Sequence, residues 1–298
     1  MRFAGELTAL GAACCWAIGS NLFAAAGRRI GPVEINRLRI TVAMVLLGLT
    51  LWVTRGSPWP FQATGTQLAL MALSGLIGFV FGDTWYFRAL VVLGAGRAAL
   101  IASLAPLLTA ALGWPLLSER LGPLAWLGMA LTLGGVALVL AESPGARAGI
   151  VAGKARAGVI AGILAALGQA GGYVTSKLAL RTGMDALSGT MIRVTAACGT
   201  MWLLATIEGQ VSSTVAALRD RRASLFLTGG AFFGAFLGVT LSLAALKEIE
   251  AGVAASITAI YPVLTLLMSA RFHREPVTAR TLVGALVAVG GVVVLFLR

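Results

Sequence analysis

An ionisable side chain in the middle of an apolar helix costs roughly 2.5–3.5 kcal/mol to insert, so each one asks for a partner or a use. Five stand out in this chain. Asp83 is an acid well inside the third long apolar run, in its second half. Arg39 and Arg193 lie in corresponding early parts of the second and seventh runs, Arg88 late in the third and Lys177 late in the sixth. Asp83 is too short to reach an interface, so an arginine partner is expected for it. Arg88 and Lys177 are long enough to carry their charges out to the headgroups, and that is the expectation for both. Arg39 and Arg193 are expected at a cavity, where they would attract a carboxylate- or phosphate-bearing solute by charge matching.

Polar uncharged residues add to this set. They are Asn21 in the first run, Gln169, Tyr173, Thr175 and Ser176 in the sixth, Ser103 and Thr109 around Pro106, and Ser256, Thr258, Tyr261 and Thr265 around Pro262. Trp16 and Trp85 are placed to bound an apolar part of a site. Singly, each is more often a helix–helix hydrogen bond or an interfacial aromatic than a ligand contact. Together they suit a small amphiphilic solute. Pro106 and Pro262, each inside a run, remove a backbone hydrogen bond and are expected to kink their helices as hinges beside a cavity.

Sets for catalysis are missing from the sequence. The chain has one histidine, His273, and neither a P-loop nor a Gly-x-Ser-x-Gly motif. No catalytic residue, metal or cofactor is therefore expected, and no enzyme activity. Cys14, Cys15 and Cys198 all sit in apolar runs; the adjacent pair is poorly placed for a disulfide, and all three are expected as small buried packing residues.

The elements that position these residues follow from composition. Of 298 residues, 58% are hydrophobic and 11% charged, with a mean hydropathy of +0.92. Too few charges remain to cover a soluble surface. Apolar runs long enough to cross a bilayer core as helices follow one another at about 5–26, 34–54, 67–90, 95–116, 122–141, 157–180, 186–207, 223–246, 251–271 and 277–297. Gly31-Pro32, Ser57-Pro58-Trp59-Pro60, Gly122-Pro123 and Ser143-Pro144-Gly145 punctuate them. The first run resembles a signal peptide ending at Ala24-Ala25-Ala26, but its length and its internal counterpart make it a span. The net charge of +12 lies mostly between runs, where it meets lipid headgroups, so nucleic acid is set aside as a partner.

The two halves repeat. At an offset of 156, Pro106 meets Pro262, Glu119 meets Glu275, Gly82 meets Gly238, Thr84 meets Thr240 and Gly96 meets Gly252. Gly128, Gly134 and Gly135 likewise meet Gly284, Gly290 and Gly291. The expected organisation is a first five-helix unit over 1–141, a linker over 142–156 and a second unit over 157–298. Five spans end on the side opposite to their start, so the second unit inserts inverted, the construction of many secondary transporters. Ser74, Gly78, Gly82 and Gly230, Gly234, Gly238 recur at spacing four and are expected to let helices pack closely. Of the 23 Lys and Arg, 15 fall on the side of the 1–2, 3–4, 5–6, 7–8 and 9–10 loops, which by charge alone places both termini outside.

The stretch Leu104-Ala105-Pro106-Leu107-Leu108-Thr109, running to Leu116-Leu117-Ser118-Glu119-Arg120-Leu121, resembles the EamA-type members of the drug/metabolite transporter superfamily. So do Gly82-Asp83-Thr84 followed by Phe87-Arg88-Ala89-Leu90, and Tyr261-Pro262-Val263-Leu264 leading to Glu275. The resemblance spans both halves. It implies an all-α, ten-helix inverted-repeat fold with a central cavity, export of small metabolites such as amino acids, and both termini in the cytoplasm, against the charge count. It also implies that Glu119 and Glu275 sit near helix ends at the interface. The small four-helix relatives that expel cationic drugs carry an acid in the middle of their first helix. Here Glu6 lies at the edge of the first run and the sixth run has no acid.

The expected function is a secondary transporter, in the exporting direction, of a small organic metabolite such as an amino acid or organic anion, by alternating access. A lipid or lipid-linked carrier flippase is the alternative. The expected partners are a small solute and the lipid of a bacterial cytoplasmic (inner) membrane, with monomer and homodimer both left open.

Overall fold

The computed structural model describes residues 3–27, 29–93, 95–142, 155–273 and 278–298, and these are mostly helical with no strand among them. In chain order the elements are α1 (Ala4–Gly27), α2 (Pro32–Arg55), α3 (Gly65–Leu93), α4 (Ala95–Ala102), α5 (Ala105–Leu117) and α6 (Pro123–Glu142). The second half has α7 (Ala155–Leu180), α8 (Ala186–Ile207), the short α9 (Val211–Ala217), α10 (Arg221–Glu248), α11 (Ala251–Thr258), α12 (Tyr261–His273) and α13 (Ala279–Leu297). Nine helical stretches among the described residues are long and apolar enough to cross a bilayer core. One of the nine, Arg97–Leu117, runs through the broken pair α4–α5, and the remaining span is the shorter pair α11–α12, broken in the same way. The chain is thus an integral membrane protein of ten spans in two five-span halves. Most of the 142–156 stretch, and Glu275, lie outside the described residues.

Local sequence starts and stops these helices. Thr64 and Gln67 form a reciprocal capping box at α3. Asp185 accepts from the Ser188 amide at 3.0 Å and Asp220 from the Ala223 amide at 3.0 Å, capping α8 and α10. Pro32 opens α2, where its missing N–H is no loss, and Gly56 closes it at φ 73°.

The small-residue stripes set the packing. Ser74 Oγ donates to the Gly172 carbonyl at 2.6 Å, and a Cβ on Gly78 would stand 3.8 Å from the Gly172 Cα, so α3 lies directly against α7. In the other half a Cβ on Gly19 would stand 3.0 Å from the Gly234 backbone, so α10 lies against α1. Each unit's third span therefore packs on the other unit's first span. Both third spans also change pitch: Leu76–Gly82 and Ala231–Gly238 are π-helical, at matching places in the repeat. Such segments widen a helix locally and are frequent at functional sites. The fifth spans, α6 and α13, close the repeat on itself. A Cβ on Gly135 would sit 2.3 Å from the Ala288 nitrogen, and one on Gly291 would sit 2.3 Å from the Thr132 nitrogen.

Two expectations change here. Pro106 and Pro262 do not kink continuous helices. They stand second in α5 and α12, each after a short interruption of its span, at 103–104 and 259–260. A proline in a first turn has no intrahelical bond to lose, so the chain breaks before it and restarts. Cys198 is buried as expected, but Cys14 is exposed on the outer face of α1.

Candidate solute-binding cavity

Both span interruptions face one cavity of about 560 Å³ between the two units. Irregular backbone at membrane depth is tolerated where it lines such a space. The cavity touches α1, α2, α3, α4, α5, α7, α10, α11 and α12. It runs from Tyr173 and Tyr261 in its depth to Gly27, Ile35 and Phe87 toward the side of the 1–2 and 3–4 loops.

One ion pair marks its wall. Arg39 Nη2 donates to Asp83 Oδ2, and Arg39 Nε donates to Asn36 Oδ1 at 2.8 Å. The arginine expected for Asp83 is therefore Arg39. Two elements build this contact: the first half of α2 carries Arg39, and the end of the π-helical turn of α3 presents Asp83. Phe23 of α1 lies beside the guanidinium, 6.0 Å from ring centre to Cζ. The rest of the wall is aromatic. Trp16 meets Tyr261 edge to face at 5.7 Å. Trp16 reaches that place only because position 238 is glycine; a Cβ there would stand 2.2 Å from the Trp16 ring.

Of the residues singled out in the sequence, Trp16, Arg39, Asp83, Ser103, Pro106, Gln169, Tyr173, Tyr261 and Pro262 line this one cavity. Others lie elsewhere. Asn21 Nδ2 donates to the Ala17 carbonyl at 3.0 Å and to the Thr265 carbonyl at 3.4 Å, joining α1 to α12. Ser256 is fully buried and donates to its own helix at Gly252, 2.8 Å away. Arg193 lies behind the wall, its Cζ 4.7 Å from the centre of the Phe79 ring. Trp85 carries the exposed Arg88 over its ring at 4.6 Å and faces a second, lateral groove of about 660 Å³ between α2, α3, α7 and α8. Phe87 borders both the groove and the cavity.

Tyr86, Phe23, Phe79 and Ser20 also line the cavity and were not singled out. A signal was present: the chain has three tyrosines, and all three, Tyr86, Tyr173 and Tyr261, face this space. The repeat also corrects one correspondence. At the offset of 156, Arg193 matches Arg37, whereas Arg39 matches Thr195. Arg37, 6% exposed, is tied to Thr214 Oγ1 at 3.2 Å and Glu208 Oε2 at 3.1 Å.

On the side of the termini the units are joined by charge. Lys177 does not reach out to an interface. Its Nζ lies 2.6 Å from Glu119 Oε1, with both side chains 8% exposed, and it donates to the Ile249 carbonyl. Glu119 also accepts from the Ala251 amide at 2.7 Å and meets Arg181 at 3.3 Å. Glu119 lies just past the end of α5, near a helix end as expected, and its side chain is buried between the units. Nearby, Arg298 holds Glu6 at 2.9 Å and Glu250 at 2.6 Å.

A ten-span inverted repeat closed around a largely apolar cavity with an ion pair in its wall, locked by charge at one end, is the architecture of a membrane transporter. The family described as the EamA-like transporter family matches residues 3–141 and 156–297, one match for each half. The chain belongs to the EamA-like transporter family. A relative from Sinorhizobium sp, named "Uncharacterized transporter in cobO 3'region", is 32% identical over 134 residues, 42% of this chain and 93% of the relative. A solved structure described only as "Crystal structure of protein" is similar at a TM-score of 0.73 and 21% identity, over 99% of this chain and 96% of that one, and shares the fold.

Proposed function

We propose that the chain is a secondary transporter that exports a small organic solute, an amino acid or organic anion, by alternating access around the central cavity. The observation that carries this reading is the Arg39–Asp83 pair in the cavity wall, at the junction of the two units. A buried ion pair is a poor source of stability, since apolar residues of the same volume often do as well. Facing a cavity, the same pair offers a donor fork to a carboxylate and an acceptor to an ammonium group. The surrounding aromatic rings then take the apolar part of the solute. The Lys177–Glu119 contact closes the side of the termini, and the inverted twin arrangement supplies the opposite closure.

The test is thermal stability of the detergent-purified protein against amino acids, organic anions, sugar phosphates, cationic dyes and lipids. A bound solute at a hundred times its Kd adds about 2.7 kcal/mol if it binds only the folded state. The expected result is stabilisation by an amino acid or organic anion, lost in Arg39→Gln. Stabilisation by cationic dyes alone would show the charge of the site to be misread.

The flippase reading draws support from one observation, the lateral groove that shares Phe87 with the cavity. A lipid could pass its headgroup through such a wall while its chains stay in the bilayer. Stabilisation by lipid alone, with lipid scrambling in vesicles, would favour it over solute export.

A further inference from the structure

The charges around the cavity do not balance. Asp83 is paired with Arg39, and Lys177 with Glu119. Arg193 is left over. It is 2% exposed, its Nε has no hydrogen-bond partner, and it makes no ion pair among the described residues. Asp83 acts on it at longer range but is already paired with Arg39, so two buried cations share one carboxylate; the face of Phe79, 4.7 Å away, returns only a small part of the cost of burying the second.

The surroundings are built around this guanidinium. Gly78 makes room for it: a Cβ there would stand 3.1 Å from Arg193 Nη2 and 3.9 Å from Gln169 Oε1. Gln169, Tyr173 and Phe79 all line the cavity. Arg193 is therefore separated from the cavity by the thickness of one aromatic ring, with two polar side chains beside it. Resting on the solute-transport reading above, we propose that Arg193 is a concealed anion subsite. Gln169 and Tyr173 flank it, Phe79 is its movable cover, and it selects solutes of net charge −1 that carry a carboxylate. A monoanion completes the balance. A zwitterion satisfies the Arg39–Asp83 pair but leaves Arg39, Arg193 and Asp83 with one positive charge in excess. Phe79 belongs to the π-helical turn of α3, where the widened backbone gives its side chain latitude to swing.

The experiment measures binding to the purified full chain with matched probes: hexanoate and 3-phenylpropanoate, their amides, and the amino acids norleucine and phenylalanine. Wild-type protein is expected to bind at least one carboxylate tenfold or more tightly than its amide and its amino acid. Arg193→Gln is expected to abolish that preference, Arg193→Lys to keep part of it, and Phe79→Ala to keep it with faster association. If Arg193→Gln fails to fold, the lysine and alanine variants carry the test. Equal affinity for carboxylate and amide in the wild type, or an unchanged preference in Arg193→Gln, overturns the subsite. If solutes still bind and are lost with Arg39→Gln, transport through the cavity stands while the subsite falls. If no probe of any charge binds, both fall.

Discussion

Replacing Lys177 by methionine tests whether charge holds the two units together on the side of the termini. The pair is short, 2.6 Å, and 8% exposed on either side. At an effective dielectric constant of about 20 its attraction is about 6 kcal/mol before the cost of desolvating both groups. Breaking a buried pair from one side costs about 3–5 kcal/mol, because the remaining charge is stranded. Here Glu119 keeps Arg181 at 3.3 Å and the Ala251 amide at 2.7 Å, so the lower end applies, about 3 kcal/mol. Glu119 belongs to the first unit, and Lys177, Ile249 and Ala251 to the second. If the contact exists only when this side is closed, its loss shifts the equilibrium between access states about a hundredfold. The assay labels a cysteine introduced at Ala255, in the cavity wall, with a membrane-impermeant thiol reagent applied from the side of the termini, in a background lacking the native cysteines. Labelling from that side should rise in Lys177→Met, with a lower unfolding temperature. The double variant Lys177→Met/Glu119→Gln should recover most of the stability, because neither charge is then stranded. Unchanged labelling and unchanged stability in Lys177→Met would refute the reasoning.

Other predictions follow from packing and from the loops. Gly135→Val should prevent folding or cost more than about 3 kcal/mol, read as loss of the monodisperse purified protein, because its side chain would drive into the α13 backbone. Gly238→Ala should displace Trp16 and weaken solute binding while leaving the protein folded, since the nearest atoms in the way are the edge of the Trp16 ring and the Phe233 carbonyl stands farther off at 3.0 Å. Asp185 lies outside the spans; burial alone would raise its pKa, but Arg55 and Ser188 hold it down to about 2. Its folded pKa lies below the unfolded value of about 3.9. The stability it contributes is therefore complete above about pH 4 and is lost as pH falls toward 2. Asp185→Asn should flatten that part of an unfolding-temperature profile.

Much of the fold is legible in the sequence because its signals are local or periodic. Span lengths follow from apolar runs, and the repeat shows at an offset of 156 because prolines and glycines mark backbone geometry in both halves. The glycine stripes likewise foretell close contacts, though not their partners. What escapes depends on partners remote in sequence. Lys177 has the stem to reach an interface, and nothing nearby in the chain says that Glu119 waits for it across the unit boundary. Proline at 106 and 262 signals a disrupted helix, but whether the helix bends or restarts depends on what can satisfy the freed carbonyls. The cavity residues are legible as polar positions in apolar runs. Their depth relative to one another is not, which is why Trp85 and Ser256 look like Trp16 and Tyr261 in the sequence yet lie elsewhere. Arg37 went unnoticed although the repeat itself pairs it with Arg193.

The most direct test of solute export through this cavity is counterflow in proteoliposomes. Vesicles loaded with an amino acid or organic anion that stabilises the purified protein would be diluted into the same labelled solute. Transient accumulation of label by the wild type, reduced at least tenfold by Arg39→Gln with the protein still folded, is the result this account predicts. Accumulation that survives Arg39→Gln undiminished, or its absence alongside rapid lipid scrambling, would contradict it.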